Sequence, residues 1–225
     1  MPLSSDAAAS NHTIDTILSR RSVREGLGAR PVSHSDLEVI LRCGLSAPSS
    51  KNARPWRFHV LQTLPLRAAL AAAAAGAEGV DDYVPHDPRT GDAYPYWSST
   101  VLESIDVLRA APTAIAIENR GVFSGNRATL MEANRPALLA SLTAYGFESM
   151  GLGAALENMW LAANSLGISA AFLGDLAIAR DHAKSLLGCE GDLMGILALG
   201  YADALPRPRR EPPPETQTSS PIVWH

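Results

Sequence analysis

One long apolar stretch, near residues 136–166, constrains the fold of this chain more than any other feature of its sequence. The stretch predicts a single long helix. Glu148, Glu157 and Asn158 lie within it, so the helix does not read as a membrane span. We therefore expect it to form the centre of the core or the interface of a dimer.

Shorter elements alternate along the rest of the chain. Helices are predicted over 13–21, with Thr13 as N-cap, and over 33–47, 64–76, 99–110 and 179–188. Strands are predicted over 56–62, 112–118, 167–173 and 192–202, with 112–118 buried on both faces. The segments 77–97 and 119–135 read as irregular. This order predicts one α+β domain with a mostly buried sheet.

The bulk composition narrows the class of protein. The chain has 225 residues and a net charge of −4, so no general attraction to nucleic acid is expected. The first ten residues lack the pattern of a signal peptide, and no apolar run suggests a membrane span, so we expect a cytoplasmic protein. Cys43 and Cys189 lie in apolar stretches, and the histidines show no ligand spacing. Buried thiols are therefore favoured over a disulfide, and no metal site is indicated.

The composition also suggests three parts of the chain. We expect a flexible N-terminal arm at 1–12, a folded domain at 13–202 and a C-terminal extension at 203–225. The extension is rich in proline and too polar to fold alone. It therefore needs another surface in order to become ordered.

Three polar clusters stand out from this acidic chain. The first, RRSVR at 20–24, surrounds Ser22 with arginines, and guanidinium groups bind phosphate through paired, charge-assisted hydrogen bonds. Arg20 and Arg24 share one helix face if the first helix continues that far. The second cluster is APSSKNARPW at 47–56, and the third is PRPRR at 206–210. Taken singly, each is more typical of ordinary surface than of a binding site.

Together, in this order, the three clusters resemble the FMN-dependent nitroreductase family, over residues from about 13 to 210. The resemblance is weakest between 77 and 134. It implies a nitroreductase-like α+β fold with a central, mostly antiparallel sheet flanked by helices. It also implies an intertwined homodimer with two FMN sites at the subunit interface and a C-terminal extension that wraps onto the partner subunit.

The family pattern assigns the cofactor contacts residue by residue. The positions that it places at FMN are Arg20, Arg21, Ser22, Arg24, Pro48, Ser49, Ser50, Asn52, Gly174, Asp175, Arg207 and Arg209. The arginines and Ser22 would hold the phosphate and the ribityl chain, and residues 48–52 would face the flavin from the other subunit. Gly174 and Asp175 would offer a backbone N–H to flavin N5. Because Arg210 follows directly, the assignment of the phosphate contacts to Arg207 and Arg209 stays open by one residue. Arg54 and Asp175 depart from the family pattern.

The implied chemistry needs no catalytic side chain, because the flavin carries the reaction. NAD(P)H would be the electron donor, and a nitroaromatic, a quinone or a similar small acceptor would be reduced in a ping-pong cycle. Tyr83, Tyr94, Tyr96 and Trp97 would roof the acceptor pocket, or else pack their loop onto the core. Two other functions stay open: a specialised oxidase, dehydrogenase or flavin-modifying enzyme of the same fold, and a non-catalytic flavin- or ligand-binding protein.

Overall fold

A computed structural model describes residues 11–95 and 97–203 of the chain. The helices are α1 (His12–Ser19), α2 (His34–Leu45), α3 (Leu64–Ala75), α4 (Val101–Ala110), α5 (Arg127–Glu132), α6 (Arg135–Ser165) and α7 (Arg180–Leu187). The strands are β1 (Trp56–Leu61), β2 (Thr113–Asn119), β3 (Ser169–Leu173) and β4 (Asp192–Gly200). A short 3₁₀ helix covers Gly174–Ala179, and a single tight turn with non-helical backbone at Lys51 covers Ser50–Asn52.

The strands form one antiparallel sheet in the order β1-β2-β4-β3. Every residue of β2 is buried, which confirms the prediction for 112–118. The two strands with neighbours on both sides, β2 and β4, are also the most completely buried, because both of their faces are covered by helices. This arrangement confirms the predicted α+β class with a mostly antiparallel sheet flanked by helices.

Side chains of the sheet alternate between two cores, one on each face. Ala114 and Ala116 of β2 belong to the core that contains buried residues of α3 and α4. Ile115 and Ile117 belong to the opposite core, which contains buried residues of α2 and α6. Small residues on one face and β-branched residues on the other let helices pack on both sides of the same strand.

The long helix α6 has 31 residues and covers the second face of the sheet. Its N-cap is Asn134, whose side chain accepts a hydrogen bond from the N–H of Ala137. Gly44 of α2 lets the two helices approach closely, because a Cβ at that position would lie 2.6 Å from Met159 Cγ. No helix within the described ranges is both long and apolar enough to cross a membrane.

The first helix differs from its prediction at both ends. Asn11, not Thr13, is the N-cap, since its side chain accepts a hydrogen bond from the N–H of Thr13. The helix ends at Ser19, because Arg20 takes an extended backbone conformation with ψ at 134°. The condition under which Arg20 and Arg24 would share a helix face is therefore not met.

Helix α5 lies in the segment that was predicted to be irregular. Its N-cap Asn126 accepts hydrogen bonds from the N–H and the hydroxyl of Thr129. The other predicted elements occur with ends shifted by a few residues. The division into arm, domain and extension stays a prediction, and residues 1–10 and 204–225 lie outside the described part of the chain.

Candidate functional site

The RRSVR segment lies against the edge strand β3. Ser22 pairs with Ala170 in an isolated parallel bridge, and the N–H of Val23 donates to the Ala170 carbonyl at 2.9 Å. Farther along, Leu27 pairs with Ala202 just after β4. The segment is thus held by backbone hydrogen bonds, which leaves the side chains at 20, 22 and 24 for other contacts.

Arg20 packs onto α6 at the start of this segment. Its Nε lies 3.2 Å from Glu157 Oε1, and its guanidinium carbon lies 4.4 Å from the centre of the Trp160 ring. Within the described ranges, Arg20 Nη1 and Trp160 Nε1 are both buried without a hydrogen-bond partner. A buried donor without an acceptor is destabilising by about 1 to 3 kcal/mol. These two donors are on stacked side chains and are therefore candidates for binding an acceptor such as an anion. A third such donor in the described residues, Arg67 Nε, lies apart from them on α3.

The other two arginines of the segment differ in their surroundings. Arg21 Nη1 donates to the carbonyls of Leu18, Ser19 and Arg20, so this guanidinium completes the C-terminal end of α1. Arg24 is exposed. The last described residue of the chain, Asp203, donates its N–H to the carbonyl of Gly26, close to the same segment. Arg207 and Arg209 lie outside the described residues.

The second cluster contains unusual backbone conformations. Lys51, Asn52 and Arg54 have φ of 51°, 54° and 47°, and they are the only non-glycine residues with positive φ in the described chain. Such conformations are unfavourable by about 1 kcal/mol or more each, and they concentrate at binding sites. The strain identifies this turn as a candidate site by a criterion that is independent of its sequence motif.

Short polar side chains hold the strained turn in place. Ser49 Oγ accepts from the N–H of Arg54 at 3.0 Å, and Asn52 Oδ1 accepts from Arg54 Nε at 3.2 Å. Pro48 and Asn52 are exposed, whereas Ser49 and Ser50 are half-buried. The turn therefore exposes Pro48 and Asn52 to solvent, while its two serines are partly covered.

A cleft of about 260 Å³ adjoins this turn. Its lining residues are Ser50, Lys51, Ala53, Pro55, Phe123, Ala140, Thr143, Ala144, Phe147 and Glu148. Lys51 Nζ lies 5.6 Å from the centre of the Phe123 ring, in range of a cation–π interaction. The cleft is mostly apolar with one cation at its edge, which suits a flat aromatic ligand with an anionic part.

Glu148, one of the polar residues predicted within the long helix, organises the far side of the cleft. This buried carboxylate accepts from the N–H groups of Phe123 and Ser124, at 2.7 and 3.3 Å. It also accepts from the Ser124 hydroxyl and from Asn119 Nδ2, at 2.5 and 3.2 Å. Because all of these donors are satisfied within the chain, Glu148 serves to position the 121–125 loop.

Gly174 and Asp175 follow β3 directly, as the sequence predicts. Asp175 Oδ2 accepts from the hydroxyls of Thr100 and Ser104 at the start of α4. This contact gives a physical reason for an acidic residue at this position, because the carboxylate joins the 3₁₀ helix to α4. Ala170 and Gly174 are about 13 Å apart along an extended strand, so Ser22 and Gly174 mark the two ends of β3.

The aromatic segment 77–97 is only partly packed. Tyr83, Tyr94 and Trp97 are 38%, 41% and 49% exposed, and Tyr96 lies outside the described residues. None of the three lines the cleft beside the strained turn.

A polar pair near Tyr83 was not found from the sequence. Arg127 Nε donates to Tyr145 Oη at 3.2 Å, and the N–H of Arg127 donates to Asp192 at 2.8 Å. Burial opposes the charge of Arg127, but Tyr145, Asp192 and Tyr83 together hold its pKa above the usual value. Burial likewise raises the pKa of Tyr145. Arg127 of α5 reaches its partners Tyr145 of α6 and Asp192 of β4 only in the folded chain, so the sequence pattern did not indicate this buried guanidinium.

The two candidate clusters lie at different levels of α6. Arg20 contacts Glu157 and Trp160, whereas Ser49 lies beside Gly151, where a Cβ would be 3.4 Å from the serine Cβ. Six residues of helix separate these contacts, which is about 9 Å. Glu157 and Trp160 were not identified as site residues from the sequence, since their apolar surroundings are typical of core.

The model of the Nitroreductase family matches residues 17–201, and the chain therefore belongs to this family. Comparison with curated proteins gives no match.

Similar solved structures share the fold at low sequence identity. Nitroreductase A from Vibrio parahaemolyticus has a TM-score of 0.65 and 20% identity, with 96% of this chain and 78% of that chain covered. A nitroreductase with bound FMN from Bacteroides fragilis has a TM-score of 0.62 and 22% identity, covering 95% and 100%. The NADPH:FMN oxidoreductase from Vibrio harveyi, complexed with NAD+, has a TM-score of 0.61 and 18% identity, covering 96% and 79%. The predicted family and fold class are thus confirmed.

Proposed function

We propose that this protein is an FMN-dependent oxidoreductase that uses NAD(P)H to reduce a small aromatic acceptor, such as a nitroaromatic or a quinone. Membership of the Nitroreductase family supports the general class. Among the similar structures, one holds FMN and another is an NADPH:FMN oxidoreductase with NAD+. FMN, when bound, supplies the redox chemistry, so the residues of this chain have to bind, orient and shield it.

The observation that carries the proposal is the pair of unpartnered donors at Arg20 and Trp160. A phosphate oxygen is the acceptor that a guanidinium group binds best, because the two match in charge and in planar geometry. Ser22 and Arg24 follow Arg20 by two and four residues in the chain, and the proposal assigns their hydroxyl and guanidinium to the same phosphate. This donor set fits the phosphate end of FMN.

With the phosphate of FMN at Arg20, the flavin ring would lie toward the far end of β3. Gly174 and Asp175, at the far end of β3, would offer their N–H groups to the isoalloxazine ring. Because the Asp175 carboxylate is bound by Thr100 and Ser104, it does not need to face the ring. Tyr83, Tyr94 and Trp97 would present flat surfaces to the acceptor, with Arg127 close to Tyr83.

We assign residues 48–52 to the FMN site of a partner subunit, as the family resemblance implies. Two observations support a homodimer. The strained turn lies beside Gly151 and the Arg20 segment beside Glu157 of α6, and the family resemblance assigns the two to FMN from different subunits. Helix α6 also exposes large apolar side chains, namely Leu139, Leu142, Phe147 and Met150. Exposed apolar surface of this kind marks an interface with another chain.

The proposal is tested with the purified full-length chain and FMN. We expect FMN to bind in a ratio of one per chain, its absorbance to bleach anaerobically with NADH or NADPH, and the colour to return when a nitroaromatic or a quinone is added. Each nicotinamide is titrated separately, which also identifies the preferred donor.

Two other results would replace the proposal. FMN that binds but is reduced by neither nicotinamide would favour a specialised oxidase, dehydrogenase or flavin-modifying enzyme. A chain that does not bind FMN under any condition would leave only a ligand-binding protein of this fold.

A further inference from the structure

Three chemically different side chains converge on one face of the sheet, away from α6. They are His59 of β1, Glu118 of β2 and Cys189, which lies between α7 and β4. His59 Nε2 is 2.8 Å from Glu118 Oε2 and 3.5 Å from Cys189 Sγ, and all three donor atoms lie within 4.8 Å of one another. The proposed cofactor site uses none of them.

The loop that carries Cys189 is built around Glu118. Oε1 of this carboxylate accepts from the N–H groups of Glu190 and Gly191, at 3.0 and 2.7 Å. Gly191 has no room for a side chain, because a Cβ there would lie 1.9 Å from the carbonyl oxygen of Asn119. The position of the thiol is therefore fixed by the fold, and Oε2 of Glu118 remains directed toward His59.

The histidine nitrogen at the centre of the cluster faces two groups at once. A single Nε2–H can point at the Glu118 oxygen or be shared with the Cys189 sulfur, but one proton does not bond both at full strength. A metal ion in place of that proton bonds the nitrogen, the oxygen and the sulfur together. The imidazole proton would move from Nε2 to Nδ1, so that the ring stays neutral, and the thiol proton would leave for solvent.

The separations suit a tetrahedral ion. Metal–ligand bonds of about 2.0 to 2.3 Å place tetrahedral nitrogen and sulfur ligands about 3.5 Å apart, and nitrogen and oxygen ligands about 3.4 Å apart. The first value matches the distance observed, and the second requires the His59–Glu118 pair to open by about 0.6 Å. His59 is 16% exposed, so a small side-chain rotation is possible and an ion can enter from solvent.

We propose that His59, Glu118 and Cys189 form a binding site for one divalent transition-metal ion of the zinc class. Nitrogen, sulfur and carboxylate ligands are those that Zn²⁺ takes, whereas Mg²⁺ and Ca²⁺ take oxygen ligands. The fourth position is open to water or to the carboxylate of Glu190, which is exposed at the mouth of the site.

Arg57 sets the charge of the site. Its Nη1 lies 3.7 Å from Glu118 Oε2 and 3.4 Å from Glu190 Oε2. In the absence of metal, this cation offsets the buried carboxylate. Next to a bound metal it is repelled, so the same residue weakens metal binding.

The test uses the untagged full-length chain, first stripped with a chelator and then titrated with Zn²⁺ or Co²⁺. We expect one ion per chain, a visible Co²⁺ spectrum of tetrahedral type with a sulfur-to-metal charge-transfer band, and an increase in Tm on addition of Zn²⁺. Cys189→Ser is expected to remove the charge-transfer band and to weaken Zn²⁺ binding by about 100-fold. Cys43→Ser, which changes the other cysteine, is the matched control and is expected to leave both readouts unchanged.

Arg57→Gln gives a result that a merely structural cluster would not produce. Loss of the positive charge is expected to tighten Zn²⁺ binding about tenfold while the apo protein becomes less stable. His59→Gln tests the site a second time if Cys189→Ser does not fold. Zn²⁺ that binds equally well to the Cys189→Ser and His59→Gln chains, or that does not bind the wild-type chain, would overturn the proposal.

Discussion

At the scale of single residues, the candidate phosphate site is identified by polar atoms that lack a partner. Arg20 is held between Glu157 and the Trp160 ring, yet one of its guanidinium nitrogens is buried without an acceptor in the described structure. Buried donors are nearly always bonded in folded proteins. The same arrangement predicts which arginine substitutions affect the cofactor and which do not.

Arg24→Ala is expected to weaken FMN binding by roughly ten- to a hundredfold, because one charge-assisted pair of hydrogen bonds to phosphate is lost. The dissociation constant is measured by quenching of flavin fluorescence. Arg109→Ala, at an exposed arginine of α4 paired with Asp106, is the control and should leave FMN binding unchanged. Equal affinity of the Arg24→Ala and wild-type chains would remove Arg24 from the site.

Arg20→Lys keeps the positive charge but removes the planar fork that stacks on Trp160. We expect FMN affinity to fall about tenfold, since lysine bonds phosphate as a point charge. Far-ultraviolet circular dichroism and Tm establish that the variant is folded. A lower Tm with unchanged FMN affinity would mean that Arg20 serves only to pack α1 onto α6.

At the scale of elements, the fold depends on a few short connections that are held by specific hydrogen bonds. The turn at 50–54 adopts left-handed conformations at three non-glycine residues, and the 121–125 loop is bonded to one buried carboxylate. Both flank the same cleft. For the turn and for the loop, a substitution is expected to change the free energy of unfolding by an amount that a matched substitution elsewhere in the chain can be compared with.

Lys51→Gly is expected to change the free energy of unfolding by less than about 0.5 kcal/mol, because relief of left-handed strain offsets the added entropy of the unfolded chain. Lys184→Gly in helix α7 is the matched control, and there the same change is expected to destabilise by about 1 kcal/mol. Urea unfolding measures both. A loss at Lys51 as large as that at Lys184 would show that the turn is not strained.

Glu148→Ala is expected to lower the free energy of unfolding by about 2 to 3 kcal/mol, because it leaves the Phe123, Ser124 and Asn119 donors without their acceptor. Glu103→Ala, at an exposed carboxylate of α4, should change it by less than about 0.5 kcal/mol. Denaturant unfolding of the two variants side by side decides the matter. Similar values for both would mean that Glu148 does not hold the loop.

At the scale of the whole molecule, helix α6 carries apolar side chains that the described residues leave exposed. One side of this helix packs on the sheet, and another exposes Leu139 and Met150 at 72% and 71%. Helix α1, which contacts α6, also exposes Ile14, Ile17 and Leu18. A second copy of the chain would cover this surface.

Met150→Glu is expected to shift the protein from dimer to monomer, because it buries an unpaired carboxylate at the proposed interface. Multi-angle light scattering after size-exclusion chromatography measures the mass. Leu64→Glu, at a leucine of α3 that is 60% exposed, is the control and should leave the mass unchanged. A wild-type chain that runs as a monomer at micromolar concentration would contradict the dimer.

Local pattern was sufficient to predict most of the secondary structure. The spacing of apolar residues located α2, α3, α4, α6 and all four strands to within a few residues. This is because the helix period of about 3.6 residues and the strand period of two can both be recognised from residues close together in the chain. The end of α1 was misplaced, since the contact of Ser22 and Val23 with Ala170 is a long-range one. Helix α5 was missed because six residues are too few to show a clear period.

The sequence by itself determined the α+β class, the central helix and the family to which the chain belongs, because each depends on residues that are close together in the chain or on the order of short motifs. Only the tertiary structure decided that Arg20 rests on Trp160, that Asp175 is bound to α4, and that His59, Glu118 and Cys189 meet. The physical reason is distance along the chain. A hydrogen bond or a ligand set between residues that are far apart in sequence leaves no local pattern, and it exists only once the sheet and its helices are packed.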